Sequence, residues 1–258
     1  MMLFSSCGEY NKILKTQDAD LKYSYAKKYF NKKKYVKSAT LLEEIVYYFR
    51  GRPEGEEVLY LLAQSYYGQN DYETASEYFK SYANTYPRGE YTELAKYYSA
   101  YGLYLESRDP RLDQAETYES MQQFLLFLEE YPQSERVKDI EQLLFQMQEK
   151  LADKEYRSAK LYYNLGTYMG NNYAACIVTS DNALKNYPDT KYREDFLYLK
   201  ICSKYEIAQI SVDERLQGRY REVVDEYYSY INEFPKGKYI KQVTKYFEDA
   251  NSKIVTNY

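Results

Sequence analysis

Apolar and aromatic residues recur along the chain at steps of three and four residues, which is the period of one face of an α-helix. The clearest example consists of Tyr72, Ala75, Phe79, Tyr82 and Pro87. The same spacing recurs in segments that end at Pro188 and Pro235, and looser copies end at Pro132 and after Ile45. Proline cannot continue the hydrogen-bond ladder of a helix, so each copy predicts a helix that stops before its proline.

A second set of helical positions precedes these segments in the first half of the chain. Its aromatic and small members keep an interval of 37 residues: Tyr23, Tyr60 and Tyr97, then Ala26, Ala63 and Ala100. Each repeat is therefore predicted to be a helix A, a turn, a helix B and a proline turn, with small residues where the helices cross. This pattern resembles the tetratricopeptide repeat (TPR), and five copies predict an all-α solenoid of helical hairpins.

The interval between Pro132 and Pro188 is 56 residues, which is too long for one such repeat. An apolar stripe runs from Val137 to Tyr163 without a helix breaker, and it predicts a long central helix. We therefore expect three regions. Residues 1–18 form a signal remnant and tether, 19–133 form repeats 1–3, and 134–258 form repeats 4 and 5 with the long linking helix and a terminal helix.

Composition argues against several classes of function. Lys and Arg total 35 and Asp and Glu total 39, so the net charge of −4 does not suit a nucleic-acid-binding protein. Histidine, the commonest general base and metal ligand, is absent, and the three cysteines form no CxxC pair. Paired carboxylates such as Glu43 and Glu44 are adjacent in sequence, and neighbours on a helix point in different directions. We expect no enzyme, no metal site and no cofactor.

The N-terminus carries a candidate signal for membrane attachment. Apolar residues, two serines and then Cys7 resemble a bacterial lipoprotein signal, in which Cys7 would carry the lipid. The alternative is an incidental cysteine at a chain terminus. The basic run at residues 32–34 is expected to be a solvated turn, or else a contact with anionic lipid head groups near the N-terminus.

The segment from Leu151 to Tyr163 and the Tyr-Pro-Asp-Thr sequence at 187–190 resemble the BamD/ComL family of outer-membrane assembly lipoproteins. The resemblance implies a non-enzymatic protein anchored to the outer membrane and facing the periplasm. Its C-terminal repeats would dock on the barrel-inserting protein beside other assembly subunits, and its N-terminal repeats would receive unfolded barrel segments. The alternative is a periplasmic TPR adaptor for a division or secretion complex.

The A helices of repeats 1–3 are expected to line a groove for a peptide or partner. A tyrosine ring offers rigid apolar area and a polar tip, which suits extended aromatic-rich segments. The alternative for any single tyrosine is that it packs between helices. The expected groove residues are Tyr23, Lys27, Phe30, Tyr60, Gln64, Tyr67, Tyr97, Tyr101 and Tyr104.

Overall fold

The computed structural model describes residues 5–254, with side chains from Gly8 onward except at residue 213. These residues form twelve α-helices and no strand, which confirms the predicted all-α class. In chain order the helices are α1 (Ser5–Lys15), α2 (Ala19–Asn31), α3 (Tyr35–Ile45), α4 (Gly55–Tyr67), α5 (Tyr72–Thr85), α6 (Thr92–Glu106), α7 (Ala115–Glu130), α8 (Val137–Leu165), α9 (Asn172–Asn186), α10 (Arg193–Gln209), α11 (Asp213–Glu233) and α12 (Ile240–Ser252).

The predicted hairpins correspond to five consecutive pairs of helices, from α2 and α3 in repeat 1 to α10 and α11 in repeat 5. Consecutive helices from α1 to α7 and from α9 to α12 pack together in space, as expected for stacked TPR-like hairpins. Ala159 of α8 shares a core cluster with Cys176 and Ala183 of α9. The predicted long central helix is α8, which continues for 29 residues.

The chain forms two compact units that divide inside α8. Unit 1 comprises Met1–Asp109 and Asp113–Leu144, and unit 2 comprises Pro110–Leu112 and Phe145–Tyr258. The boundary expected from the sequence lies after residue 133, before this helix. The division lies later because the first two turns of α8 belong to unit 1, where Ile140 is fully buried.

The N-terminal segment differs from the expected tether. Residues 5–15 form α1, and Ile13 is buried in the core cluster of unit 1. The Tyr10 ring packs edge-on against Tyr29 of α2, with ring centroids 5.6 Å apart. The segment folds because Tyr10, Ile13 and Leu14 share one helix face, and burying that face stabilises the helix.

Small residues allow helices A and B to approach closely, as the repeat pattern predicted. Ala26, Ala63 and Ala100 are all fully buried. The hydroxyl of Ser38 donates a hydrogen bond to the Ala26 carbonyl at 3.0 Å, and Ser120 does the same to Ala100 at 2.8 Å. A serine at this position of helix B therefore ties the two backbones together as well as leaving room for them.

A carboxylate near the start of helix A holds the proline turn that follows helix B. In repeat 2, Glu56 accepts hydrogen bonds from the Tyr82 hydroxyl and from the backbone N–H of Glu90. In repeat 5, Glu194 accepts a hydrogen bond from the Tyr230 hydroxyl at 2.6 Å. We call this arrangement the turn clasp.

Repeat 3 forms the turn clasp with a different hydroxyl. Its helix B carries Phe127 in place of tyrosine, and Ser134 in the turn donates to Glu93 at 2.6 Å. Where tyrosine supplies the hydroxyl, the turn residue is glycine. A Cβ added to Gly89 would lie 2.7 Å from the Tyr82 hydroxyl and 2.5 Å from the Glu56 carboxylate. The glycines that replace Ser or Thr in these turns are therefore needed for space.

A buried charge cluster connects three helices in unit 2. Glu226 of α11 pairs with Lys200 of α10 at 2.8 Å and with Lys204 at 2.5 Å, and Lys200 also pairs with Asp181 of α9 at 2.7 Å. Burial alone would raise the pKa of Glu226, but the hydrogen bonds from the two lysines outweigh it and hold the pKa below its usual value.

The two described cysteines are structural. Cys176 and Cys202 are both free thiols and both are buried. Burial raises the pKa of Cys202 to about 12, so the thiol stays protonated and unreactive at neutral pH.

The turn clasp predicts that Tyr82 and Gly89 are energetically coupled. Tyr82→Phe removes a hydroxyl donated to Glu56, and we expect a loss of about 1–2 kcal/mol. Gly89→Ser is expected to be destabilising while the Tyr82 hydroxyl is present. The double variant recreates the Phe127 and Ser134 pair of repeat 3, so its loss should be smaller than the sum by about 1 kcal/mol or more. Urea denaturation of the four proteins measures the coupling, and additive losses would contradict it.

The charge cluster predicts a pH-dependent contribution to stability. The folded-state pKa of Glu226 is lowered, so its stabilisation is complete above the usual value of 4.5 and disappears as the pH falls through the folded-state pKa. We expect Glu226→Gln to cost about 3 kcal/mol at pH 7 and much less at pH 3, measured by denaturation at both pH values. The control is Glu222→Gln, an exposed partner of Arg219, which should have little effect at either pH.

Candidate functional site

The structure separates the nine expected groove residues into buried and accessible groups. Tyr60 is 6 % exposed and Tyr97 is 8 % exposed, so both belong to the core of unit 1 and not to an open groove. The other seven are partly exposed: Tyr23, Lys27, Phe30, Gln64, Tyr67, Tyr101 and Tyr104.

Tyr60 and Tyr97 are buried because the chain after each proline turn covers them. The fourth residue after the proline, here called the joint residue, lies on an aromatic ring of the preceding helix A. Tyr91 stacks on Tyr60 with centroids 4.3 Å apart, and the guanidinium of Arg136 lies 4.6 Å from the centroid of Tyr97. The sequence has a tyrosine four residues after Pro87, Pro188 and Pro235, but spacing alone does not show which ring this tyrosine covers.

The same contact recurs within unit 2. The joint residue Tyr192 stacks on Tyr156 at 4.9 Å, and the joint residue Tyr239 stacks on Tyr198 at 3.9 Å. The joint residue of repeat 3 is therefore a cation, Arg136, whereas the other three joint residues are tyrosines. Such a cation over an aromatic face gains an electrostatic attraction that a stacked tyrosine lacks.

The tyrosines of α6 form a ladder along one face of the helix. Tyr97 and Tyr101 are stacked with centroids 5.6 Å apart, and Tyr101 and Tyr104 are stacked at the same distance. The residues are spaced by four and then three positions, so their side chains share one face. Only the Tyr97 end of the ladder is buried, and Arg136 lies against that end.

Two further tyrosines extend the ladder toward α4. Tyr67 packs edge-on against Tyr98 of α6, with centroids 5.2 Å apart, and against Tyr72 of α5 at the same distance. Burial, with smaller contributions from Tyr101 and Tyr98, raises the pKa of Tyr67 to about 12. Burial also raises the pKa of Tyr104. Both hydroxyls therefore stay protonated at neutral pH and can donate hydrogen bonds. Tyr98 was not among the residues expected from the sequence.

We call the partly exposed surface of Tyr67, Tyr98, Tyr101 and Tyr104 the tyrosine face. Its rings present apolar area to solvent, and a protonated phenol carries a hydrogen-bond donor at its edge. Such a surface can bind an extended chain by ring contacts and by hydrogen bonds to backbone carbonyls. It holds no nucleophile or general base.

The expected residues of repeat 1 are engaged with one another. The Tyr23 hydroxyl donates to the Glu57 carboxylate, and Lys27 pairs with the same carboxylate at 2.6 Å. Burial alone would raise the pKa of Glu57, but Lys27 and Tyr23 lower it below its usual value. Phe30 packs edge-on against Tyr35, with centroids 5.5 Å apart. These side chains are partly exposed and are held in a polar network and a ring pair.

Cys7 lies within α1, but its side chain is outside the part of the chain that the structure describes. Among the helices of residues 5–254, none combines the length and the apolar character that a bilayer crossing requires.

No curated protein matches the chain. A family model described as "Outer membrane lipoprotein" (YfiO) matches residues 15–201, which is most of the chain and includes the tyrosine face and the whole of α8 and α9. The chain therefore belongs to the YfiO family, the BamD-like family of outer membrane lipoproteins.

Proposed function

We propose that this chain is a non-enzymatic lipoprotein subunit of the machinery that assembles β-barrels in the outer membrane. It is anchored through Cys7 at the periplasmic face, docks on the barrel-inserting protein through its C-terminal repeats, and receives unfolded barrel segments through its N-terminal repeats. Membership of an outer membrane lipoprotein family supports the location. The observation that carries the receiving role is the tyrosine face of unit 1.

The geometry of the ladder suits an extended chain. The rings of Tyr101 and Tyr104, the partly exposed part of the ladder, have centroids 5.6 Å apart. Residues on one face of an extended strand repeat at about 6.6–6.8 Å, which is a similar interval. Barrel strands alternate apolar and polar residues and carry aromatic residues near both membrane interfaces. Ring-to-ring contact tolerates different sequences, which a receiver of many substrates requires.

Rigid tyrosines also limit the entropy lost on binding. The rings of the ladder are already stacked, so few side-chain rotamers have to be immobilised when a peptide binds. Arg136 at the buried end provides a cation next to the apolar surface. It can interact with a carbonyl or carboxylate of the bound segment.

The exposed part of the ladder provides the test of binding. We expect Tyr101→Ala with Tyr104→Ala to weaken binding of a synthetic peptide of alternating aromatic and polar residues by about tenfold, because two ring contacts are lost. Fluorescence anisotropy of the labelled peptide measures the Kd. Because both residues are partly exposed, the melting temperature should fall only slightly.

The control for this experiment is Tyr118→Ala, which removes a tyrosine that is 54 % exposed on α7. It should leave the Kd unchanged. Equal affinities for all three proteins would contradict a receiving role for the tyrosine face. Tyr60 and Tyr97 are unsuitable for the test, because alanine at these core positions would cost about 3–5 kcal/mol of stability.

The partner proposal has a separate test. We expect affinity capture of the lipidated protein from gently solubilised membranes to recover a large β-barrel protein with periplasmic repeat domains. Depletion of the chain should then lower the amount of folded barrel proteins in the outer membrane. Recovery of division or secretion proteins, with barrel levels unchanged, would replace this proposal with the adaptor alternative.

A further inference from the structure

The turn between α2 and α3 consists of three exposed lysines, Lys32, Lys33 and Lys34. Its backbone is held by hydrogen bonds from Lys33 N–H to the Phe30 carbonyl at 2.8 Å and from Lys34 N–H to the Tyr29 carbonyl at 2.9 Å. Lys33 adopts a left-handed conformation with φ of 55°. Glycine and asparagine are the residues that adopt this conformation at least cost.

Repeat 2 contains the same turn with residues that suit its backbone better. Asn70 has φ of 61° at the position of Lys33, and the Asp71 N–H donates to the Tyr66 carbonyl as Lys34 does to Tyr29. The Asp71 side chain also accepts a hydrogen bond from the Thr74 N–H and so caps α5. Lys34 makes no such cap, and it places a cation at the positive end of the α3 dipole.

Lys33 and Lys34 are therefore unfavourable for the turn itself. Within residues 5–254, Lys32, Lys33 and Lys34 form no salt bridge that would offset this cost. The neighbouring lysines of α2 are paired: Lys22 with Glu44, Lys27 with Glu57, and Lys28 with Glu9. A cluster of unpaired cations at a position that disfavours them points to a role outside the fold.

The N-terminal end of α1 lies beside this turn. Glu9 pairs with Lys28 near the end of α2 at 3.0 Å. The hydrogen bond from Lys28 lowers the pKa of Glu9, and the charge of Lys32 adds to the effect. The ammonium group of Lys37, at the start of α3, lies 4.7 Å from the centroid of the Tyr10 ring. Residue 7 is two positions before Glu9, about 3 Å further along the helix axis.

We propose that Lys32, Lys33 and Lys34, with Lys37 beside them, form a lysine patch that binds the anionic head groups of the membrane surface next to the lipid attachment point. The patch lies at the end of unit 1 where α1 begins, so a lipid at residue 7 would bring the lysines to the same surface. Because α1 is packed on α2 and is not a free tether, this proximity is maintained.

The lysine patch adds a second signal to the lipid anchor. Each lysine near an anionic surface strengthens partitioning by about fivefold, so three contribute on the order of a hundredfold. The attraction falls off within about 10 Å at 0.1 M salt, which makes a position beside the anchor essential. A chain held at one covalent point can rotate about it, whereas a charged contact beside that point restricts which face meets the membrane.

The test exchanges the turn of repeat 1 for that of repeat 2 in the full, unlipidated chain. Lys33→Asn with Lys34→Asp supplies the residues that the backbone prefers, so the melting temperature should stay the same or rise. Sedimentation with vesicles of 70 % phosphatidylcholine and 30 % phosphatidylglycerol at 0.1 M NaCl should show at least tenfold weaker binding. Wild-type binding should disappear with pure phosphatidylcholine vesicles and at 0.5 M NaCl.

A matched control removes the same amount of charge from unit 2. Lys236→Gln with Lys241→Gln and Lys245→Gln changes the net charge by −3, as the turn exchange does, at three exposed residues. It should bind the anionic vesicles as the wild type does. Equal binding by the turn-exchange variant and the wild type would overturn the proposal, and so would wild-type binding to neutral vesicles.

A fall in melting temperature in the turn-exchange variant would show that the lysines serve the fold, which also overturns the proposal. The vesicle experiment needs neither the barrel-inserting protein nor a peptide substrate. The position of the patch beside the anchor rests on the proposed lipidation of Cys7. The vesicle result itself is independent of barrel assembly, so either one can fail while the other stands.

Discussion

The close approach of helix A to helix B is the constraint on which the rest of the structure depends. Fully buried alanines set this distance in repeats 1–3, and in repeats 1 and 3 a serine hydroxyl bonded to a helix A carbonyl adds to them. With the backbones close, the aromatic residues on either side of the crossing are forced together. Ring pairs between the two helices, such as Tyr60 with Phe79 at 5.8 Å and Tyr97 with Phe124 at 5.9 Å, depend on that close approach.

A second constraint acts where one repeat joins the next. A half-buried carboxylate at the start of helix A needs hydrogen-bond donors where the proline turn closes over it, because a carboxylate that loses water without gaining a partner is costly. Repeats 2 and 5 supply the hydroxyl from a helix B tyrosine, and repeat 3 supplies it from a turn serine. The residue that supplies the hydroxyl decides whether the turn residue can carry a Cβ. The helix B residue and the turn residue, which are seven positions apart, are thereby linked through the carboxylate of helix A.

The proposed binding surfaces are formed by residues that these two constraints do not engage. The joint residues cover the first aromatic position of helix A, so the surface available to a substrate begins one or two helical turns later, at Tyr101 and Tyr104. The lysine patch differs, because there the turn itself has residues that its backbone conformation disfavours. A surplus of apolar rings and a surplus of unpaired cations thus mark the two parts of unit 1 that we assign to binding.

The sequence by itself determined the helical class, the five hairpins, the long helix α8 and the family, because these depend on local periodicity, on proline positions and on a contiguous motif. It did not determine that Tyr60 and Tyr97 are buried while Tyr67 and Tyr104 are partly exposed. All four are tyrosines on the same face of an A helix, and the sequence pattern does not distinguish them. It also did not show that residues 8–15 pack on α2 beside the lysine turn. Such facts depend on contacts between residues distant in sequence, and only the packed tertiary structure decides which rings are covered and which charges meet.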